Sequence, residues 1–379
     1  MSNLIGPGST IGILGAGQLG RMLASVARRM GYRIAVFGGD DSSPTGQLSD
    51  LSWPGNYDDA DALAEFARAA DVVTYEFENI PAHAAARIAE VTPLCPGAAL
   101  LTAAQNRFKE KTALTSIGLP VAPFRMVHSG DELAAARAEF GDCILKANTD
   151  GYDGKGQWSV SDQTDVVALW EETGLPEAVV EKKVSFDFEL SAIGGRYRDG
   201  QKAFYAPFLN HHENHILDVT ISAATQVTPE LEKRATEMAA AVLDHFEVIG
   251  VLCIELFLTT DGQLIVNEIA PRPHNSGHLT IEAYNCSQFE LQLRTICNLP
   301  SVNLERTAPA SAMANLLGQH LPSEWTTDAF SCVGTQPNLH LYGKAGAKTN
   351  RKMGHLTITA DSPDEAERSV RKTRDQLTA

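Results

Sequence analysis

No stretch of this 379-residue sequence approaches 18 uninterrupted apolar residues, so no helix of ordinary membrane-spanning length is expected. The opening MSNLIGPGSTIG lacks a basic segment followed by a long apolar core, and no signal peptide is expected either. Cysteine is scarce and unpatterned. Cys95, Cys143, Cys253, Cys286, Cys297 and Cys332 form no CxxC pair, and most lie in apolar or helical stretches, which points to reduced, buried thiols and a cytoplasmic location. Positive charge is also short: 31 Lys and Arg against 47 Asp and Glu leave a net charge of -16. Such a field repels nucleic acid and anionic membranes, so an anionic ligand needs a local cluster of donors or a metal. There is no internal repeat and no low-complexity segment. With 44% hydrophobic, 21% charged and 7% aromatic residues, the composition is that of a soluble globular enzyme, in two or three domains at about 150 residues each.

Thr10 to Leu14 is a short apolar run followed by Gly15-Ala16-Gly17-Gln18-Leu19-Gly20, and Arg21 to Met30 then has helical spacing with Gly31 as C-cap. Arg33 to Phe37 and Asp71 to Tyr75 look like further buried strands, separated by a helix near Asp58 to Ala69. The first hundred residues therefore predict a βαβ domain with a parallel sheet. A helix from Asn106 to Ile117 leads into strands at Phe124 to Val127 and Cys143 to Ala147, with a helix at Asp131 to Phe140 between them. The hairpin-rich pattern beyond predicts an α+β body. It carries a long helix from Thr228 to Phe246 capped by Thr228, a hairpin from Gly250 to Ile269, and a helix from Ile281 to Cys297. Short strands and a charged helix near Ser362 to Leu377 complete the chain.

Gly15-x-Gly17-x-x-Gly20 fits a dinucleotide fingerprint, with Asp40 placed where an acid would hold a ribose hydroxyl. It fits equally a tight strand-to-helix turn whose free helix N-terminal amides favour a phosphate. The second glycine cluster, Gly151-Tyr152-Asp153-Gly154-Lys155-Gly156-Gln157, follows the strand holding Lys146. Gln157 stands where a Walker A loop requires lysine, yet three glycines and two lysines suit a polyphosphate lid.

In the hairpin, a two-residue turn at Asp261-Gly262 places Thr260 opposite Gln263 and Glu255 opposite Glu268. Two carboxylates facing each other among Leu252, Ile254, Leu256, Ile265, Val266 and Ile269 repel, and a divalent cation with oxygen ligands, Mg²⁺ above all, resolves the conflict. An exposed edge with both acids in water is the alternative. Ala270 to His278 (APRPHNSGH) is a rigid loop dense in donors that suits charge developing on a transferred phosphoryl group. Lys344, Lys348, Arg351 and Lys352 lie in a stretch, Ala329 to Ala360, without a single Asp or Glu, a local positive site suited to a phosphate monoester or simply a solvated turn.

The glycine lid after a strand lysine, Val179-Val180-Glu181-Lys182-Lys183-Val184, Glu189 and the paired glutamates resemble the ATP-grasp superfamily. More specifically, Gly15 to Met22 (GAGQLGRM), Thr74 to Asn79 (TYEFEN), Gly151 to Gln157, Asn267 to His278 (NEIAPRPHNSGH), and Gly354-His355-Leu356 after Arg351-Lys352 resemble the N5-carboxyaminoimidazole ribonucleotide synthetases of bacterial-type purine biosynthesis. The resemblance implies an α/β and α+β protein: a Rossmann-like pre-ATP-grasp domain (1–105), an ATP-grasp body (106–300, lid subdomain about 120–185) and a small β-rich C-terminal domain (301–379), assembled as a homodimer. It implies a ligase that uses ATP and bicarbonate to carboxylate aminoimidazole ribonucleotide through carboxyphosphate. It moves Gly15 to Gly20 to the substrate site, with Gln18 and Leu19 near the substrate phosphate.

By the same resemblance, ATP is surrounded by Arg107, Lys146, Gly151, Tyr152, Asp153, Gly154, Lys155, Gly156, Gln157, Glu181, Lys182, Lys183, Val184, Glu189, His212, Asn267 and Glu268. Glu181 and the Val184 backbone lie at the adenine and Glu189 at the ribose. Glu255 and Glu268 hold Mg²⁺. Glu76, Tyr152, Asp153, Lys344, Arg351 and Lys352 join Gln18 and Leu19 around the ribonucleotide, and Arg272, Lys155, His274 and Asn275 are the candidate catalytic residues. Relatives commonly carry glycine before the isoleucine that follows the His212 segment, where this chain has His215. The rival readings are a nicotinamide dehydrogenase built on Gly15 to Gly20 and Asp40, a formate-using ATP-grasp ligase, and a non-catalytic nucleotide-binding module. Stabilisation by NAD but not Mg-ATP marks the first, phosphate release with another acid the second, and Mg-ATP binding without phosphate release the third.

Overall fold

The computed structural model describes residues 4–149, 151, 156–327 and 338–377. The N-terminal sheet is parallel, in the order β3-β2-β1-β4, from β1 (Thr10–Leu14), β2 (Arg33–Phe37), β3 (Leu51–Trp53) and β4 (Val72–Tyr75). All of β1 and β4 is buried, because helices cover both faces as a parallel sheet requires. Those helices include α1 (Gln18–Arg29), α2 (Ala60–Ala69) and α3 (Ala82–Val91). α1 ends at Met30 with Gly31 at φ +83°, the left-handed position that glycine fills after a helix. α4 (Ala98–Ala104) and α5 (Arg107–Ser116) lead out of this unit, and the Asn106 side chain caps α5 by accepting from the Lys109 amide.

A four-stranded antiparallel sheet follows in the order β5-β8-β6-β7, from β5 (Phe124–Val127), β6 (Cys143–Ala147), β7 (Gln157–Val160) and β8 (Ala178–Lys182). It is backed by α6 (Gly130–Phe140) and α7 (Val166–Thr173). The remaining strands form one nine-stranded antiparallel sheet. It comprises β9 (Phe186–Arg196), β10 (Lys202–Phe204), β11 (Phe208–Glu213), β12 (Ile216–Ser222), β13 (Gly250–Thr259), β14 (Leu264–Ala270), β15 (Ala310–Leu317), β16 (Asn338–Leu341) and β17 (Lys352–Ala360). Its order is β14-β13-β9-β11-β12-β15-β17-β16, with β10 beside β9, so the C-terminal strands continue the sheet of the body. α8 (Pro229–His245) packs on it, its N-terminus capped by Thr228. The Ile281 to Cys297 segment is two helices, α9 (Thr280–Ala283) and α10 (Gln288–Ile296), because the Ser287 hydroxyl caps α10 at Glu290 and Tyr284 is extended. α11 (Pro363–Leu377) is fastened by Arg371 and Arg374 to buried Asp218 on β12. Among the described residues no helix is long and apolar enough to cross a membrane, and Cys95, Cys143, Cys253, Cys286 and Cys297 are free and buried; Cys332 lies outside the described residues.

The β13–β14 hairpin reaches the expected Glu255–Glu268 pairing by a different route. The Thr259 amide donates to the Gln263 carbonyl and the Gln263 amide donates back to the Thr259 hydroxyl, so the turn has three residues, with Gly262 at φ +80°, and pairs near it are Leu258 with Leu264 and Leu256 with Val266. Left uninterrupted, that register would set Asn267 opposite Glu255. A bulge at Asn267 adds one residue to β14 and restores Glu255 opposite Glu268. The two departures from a simple hairpin cancel.

Asn214 and His215 form the two-residue turn between β11 and β12, both with positive φ, +49° and +65°. A turn of this kind favours Asn-Gly. His215→Gly relieves about 1–2 kcal/mol of left-handed strain against about 0.5–1 kcal/mol of added backbone entropy, so a net gain of about 0.5 kcal/mol in denaturant unfolding is expected. A loss of stability would show that the imidazole makes compensating contacts.

Candidate active site

The N-terminal sheet, the four-stranded lid sheet and the β14 edge of the large sheet enclose one cavity of about 860 Å³. Gln18, Leu19, Glu76, Arg107, Lys146, Gly151, Gln157, Glu181, Lys182, Lys183, Val184, Glu189, His212, Glu255, Asn267, Glu268, Arg272, His274, Asn275 and Lys352 all line it. Gly156, Lys344 and Arg351 do not: Gly156 accepts from the Ala147 amide, Lys344 donates to the Lys352 carbonyl, and Arg351 donates to the carbonyls of Ala345 and Gly346. Tyr152, Asp153, Gly154 and Lys155 lie outside the described residues.

One end of the cavity is apolar. Ala122, Ile144, Phe186, Phe257 and Ile265 line it, with the two phenyl rings stacked at 4.4 Å between centroids. Of these five the sequence analysis named only Ile265, as an apolar neighbour of the facing glutamates, because an isolated apolar residue carries no chemical signal. Beside them Glu181 Oε2 faces two ammonium groups, Lys146 Nζ at 3.0 Å and Lys111 Nζ at 3.3 Å, while Oε1 is buried with no hydrogen-bond partner. Burial raises the Glu181 carboxyl, but Lys146 and Lys111 outweigh it and hold the group below its usual range. A carboxylate with one oxygen neutralised and the other without a donor is an acceptor for an N–H group of a flat ring.

The middle of the site is organised by α5. Arg107, Glu110 and Lys111 sit at i, i+3 and i+4, one face of the helix, and that face covers the free edge of β14. Lys111 Nζ donates to the Asn267 carbonyl at 2.7 Å, Arg107 reaches Glu268 Oε2 at 3.4 Å, and the Ile269 amide donates to Glu110 Oε1 at 2.5 Å. Three consecutive residues, including the bulge, are thus held by one helical turn. Burial pushes the Glu110 carboxyl up to about 8 despite Lys111, with Glu268 adding to the rise. Glu110 and Lys111 were missed, although a visible signal existed: charged residues occupy the stripe that Leu114 continues, where an ordinary amphipathic helix is apolar.

The facing carboxylates are not bare. Glu255 Oε1 lies 2.9 Å from His274 Nε2, whose Nδ1 is 2.8 Å from Ser276 Oγ, and Glu268 has Arg107. Burial opposes both charges of the Glu255–His274 pair, yet the Glu255 carboxyl is held low and the His274 imidazole is raised, with Cys253 and Glu255 acting on the imidazole, so the pair is ionic. His212 Nδ1 lies 2.7 Å from Glu189 Oε2, and that carboxylate keeps the imidazole above its usual value against the effect of burial. Glu255, Glu268 and the neighbouring Asn267 supply only oxygen as anionic or amide-carbonyl ligands, a donor set that suits Mg²⁺ when a substrate completes the shell. Among the described residues no three His, Cys, Asp or Glu side chains are grouped to hold a metal without such help.

At the far end Arg272 Nε pairs with Glu78 Oε2 at 2.5 Å, and both amide atoms of buried Asn275 lack partners. The glycine turn of α1 differs from its expected state. Glu76 accepts from the amides of Gly17 (2.7 Å), Leu19 (3.2 Å) and Gly20 (3.3 Å), so its carboxylate takes the helix N-terminus expected to be free for a phosphate. Gly17 permits this approach, since a Cβ there would fall 2.4 Å from Glu76 Oε1. Asp40 is turned into its own loop, accepting from Ser42.

Three domain families match in order along the chain: a ribonucleotide synthetase preATP-grasp domain at residues 9–105, an ATP-grasp domain at 112–289 and a phosphoribosylaminoimidazole carboxylase C-terminal domain at 311–369. The N5-carboxyaminoimidazole ribonucleotide synthase of Brucella melitensis is 41% identical over 93% of this chain and 96% of its own. That of Bacillus subtilis is 38% identical over 96% and 94%. The chain belongs to the N5-carboxyaminoimidazole ribonucleotide synthetase family. It is an ATP-grasp ligase, which removes the dehydrogenase reading of Gly15 to Gly20. A solved ADP complex of such a synthetase superposes with a TM-score of 0.91 at 40% identity over 98% of both chains. An Aspergillus clavatus synthase solved with ADP and 5-aminoimidazole ribonucleotide gives 0.87 at 31% over 98% of both.

Glu255→Gln leaves a buried imidazolium unpaired and should cost the nucleotide-free protein about 3 kcal/mol. Glu268→Gln, at a side chain 41% exposed, should change it by less than about 1 kcal/mol. The lowered Glu255 pKa makes its contribution present above the ordinary carboxylate value and lost in stronger acid; the raised His274 pKa makes its contribution present below the ordinary histidine value and lost in base. The Glu255→Gln deficit should therefore be greatest between about pH 5 and 6 and shrink as the pH rises above the ordinary histidine value of about 6.5. Unfolding curves from about pH 5 to 8 check both points, and equal costs for the two variants would contradict the pairing.

Proposed function

We propose that the chain catalyses ATP- and bicarbonate-dependent carboxylation of the exocyclic amine of 5-aminoimidazole ribonucleotide. The observation that carries the proposal is a single cavity that joins an apolar slot ending in Glu181 to a row of oxygen and cationic groups and then to Arg272, His274 and Asn275. Adenine suits the first part, the polyphosphate the second, and the acid and amine substrates the third. A bicarbonate oxygen attacks the γ-phosphorus, the bond to the β-phosphate oxygen breaks, and carboxyphosphate and ADP result. The amine then attacks the carboxyl carbon of carboxyphosphate, expelling phosphate, or the carbon of the carbon dioxide formed once carboxyphosphate has released phosphate, and it loses a proton in either case.

Bicarbonate is a weak nucleophile approaching an anionic centre, so the protein's work is positioning and neutralisation of charge. Lys146 neutralises nucleotide phosphate from a fixed strand, and Lys155 does so from the lid. Arg272, oriented by Glu78, faces the transferred group, and His274 enters the cycle as an imidazolium that donates from Nε2. Asn275 offers an unpaired donor and acceptor to substrate. Gln18, Leu19, Glu76, Tyr152, Asp153, Lys344, Arg351 and Lys352 hold the ribonucleotide, with Glu76 exchanging the α1 amides for a sugar hydroxyl and leaving those amides to the phosphate. Glu255 and Glu268 would hold Mg²⁺, which when bound lowers the charge on the phosphate oxygens. The working enzyme is read as a cytoplasmic homodimer of domains 1–105, 106–300 and 301–379.

Purified protein with ATP should form ADP only slowly, and addition of both bicarbonate and 5-aminoimidazole ribonucleotide should raise the rate at least tenfold with one phosphate released per ADP. Full activity with formate in place of bicarbonate, or phosphate release that ignores the amine, would overturn the assignment.

A further inference from the structure

We propose that Lys111 is a positioning residue that couples recognition of the nucleotide base to placement of the Asn267–Glu268 segment. This rests on the reading of the cavity as an ATP site. Lys111 is 1% exposed and sits between two elements that share no strand pairing, β8 of the lid sheet and β14 of the large sheet. Its ammonium group is 3.3 Å from Glu181 Oε2 on the first and donates to the Asn267 carbonyl at 2.7 Å on the second. A lysine ammonium has three donors and no acceptor, so one group serves both contacts without a change of protonation.

The two contacts act on opposite ends of the site. At the base end, Lys111 and Lys146 both fall on Oε2 of Glu181, which leaves Oε1, buried and without a partner, as the acceptor for the ring. An oxygen of that kind accepts from the 6-amino group of adenine and repels the 6-oxo group of hypoxanthine. At the phosphate end, the Asn267 carbonyl belongs to the bulge residue that sets Glu268 opposite Glu255. Backbone pairing of the two sheets runs separately, through Pro120, which accepts from Val266, and Pro123, which accepts from Lys182. Lys111 adds a side-chain connection between the group that reads the base and the strand that carries the carboxylate. Its place on α5 beside Arg107 and Glu110 gives that connection a rigid support.

The test compares ATP with inosine triphosphate in the full-length enzyme, by equilibrium binding and by steady-state turnover. Lys111→Met should lower the ATP-over-ITP preference in binding at least fivefold and lower kcat with ATP at least tenfold. A purely structural lysine would lower the melting temperature and leave the preference ratio unchanged. Lys111→Gln, which keeps an N–H donor, should give intermediate values and serves if the Met variant does not fold. Glu181→Gln is the control. If it abolishes the preference while both Lys111 variants retain it, the coupling is overturned and the base assignment stands. If Glu181→Gln also leaves the preference intact, Glu181 does not read the base and both readings fall.

Discussion

The arrangement depends on how one turn of α5 closes the open edge of β14. An edge strand presents unpaired backbone groups, and here they are met by polar side chains: Lys111 on the Asn267 carbonyl and Glu110 on the Ile269 amide, with Arg107 against the Glu268 carboxylate between them. A bulge held on only one side would be free to slip. Clamped on both, it keeps Glu255 and Glu268 face to face. The device buries two cations, Arg107 and Lys111, and a carboxyl that burial pushes up to about 8, and this is tolerable because each has a hydrogen-bonding partner in place.

The same economy runs through the cavity. In a protein of net charge -16, four of the cations gathered here are set against carboxylates: Lys146 with Glu181, Arg107 with Glu268, Arg272 with Glu78, His274 with Glu255. Even the α1 N-terminus, a partial positive charge, is occupied by Glu76. Pairing makes buried charge affordable and fixes side-chain direction before any ligand arrives. It also means that the sequence excess of acid and the local donor clusters are two aspects of one design, since the acids orient the donors.

Much of this was legible in the sequence. The parallel N-terminal unit followed from buried strand runs punctuated by glycine, and the Thr228 cap followed from its side chain. The Glu255–Glu268 pairing was found through a turn that proved one residue longer, rescued by a bulge at Asn267 that no local pattern announces. The break between α9 and α10 escaped because apolar spacing continues across it, whereas the Ser287 cap decides the local structure. Glu76 as occupant of the glycine turn, and Glu78 as partner of Arg272, depend on contacts 56 to 59 and 194 residues apart in sequence, beyond the reach of any spacing rule. His215 was flagged as a departure from glycine, and its left-handed backbone is the physical reason that glycine suits the position.

The measurement that tests the clamp most directly is a crystal structure of this protein with ADP and Mg²⁺. The account requires Asn267, Glu268 and Ile269 to keep their contacts with Lys111, Arg107 or the cation, and Glu110 respectively, with Glu255 still opposite Glu268 and the cation between the two carboxylates. A structure in which β14 slips register at the bulge, or in which the cation binds elsewhere while Glu268 turns away from Glu255, would contradict it.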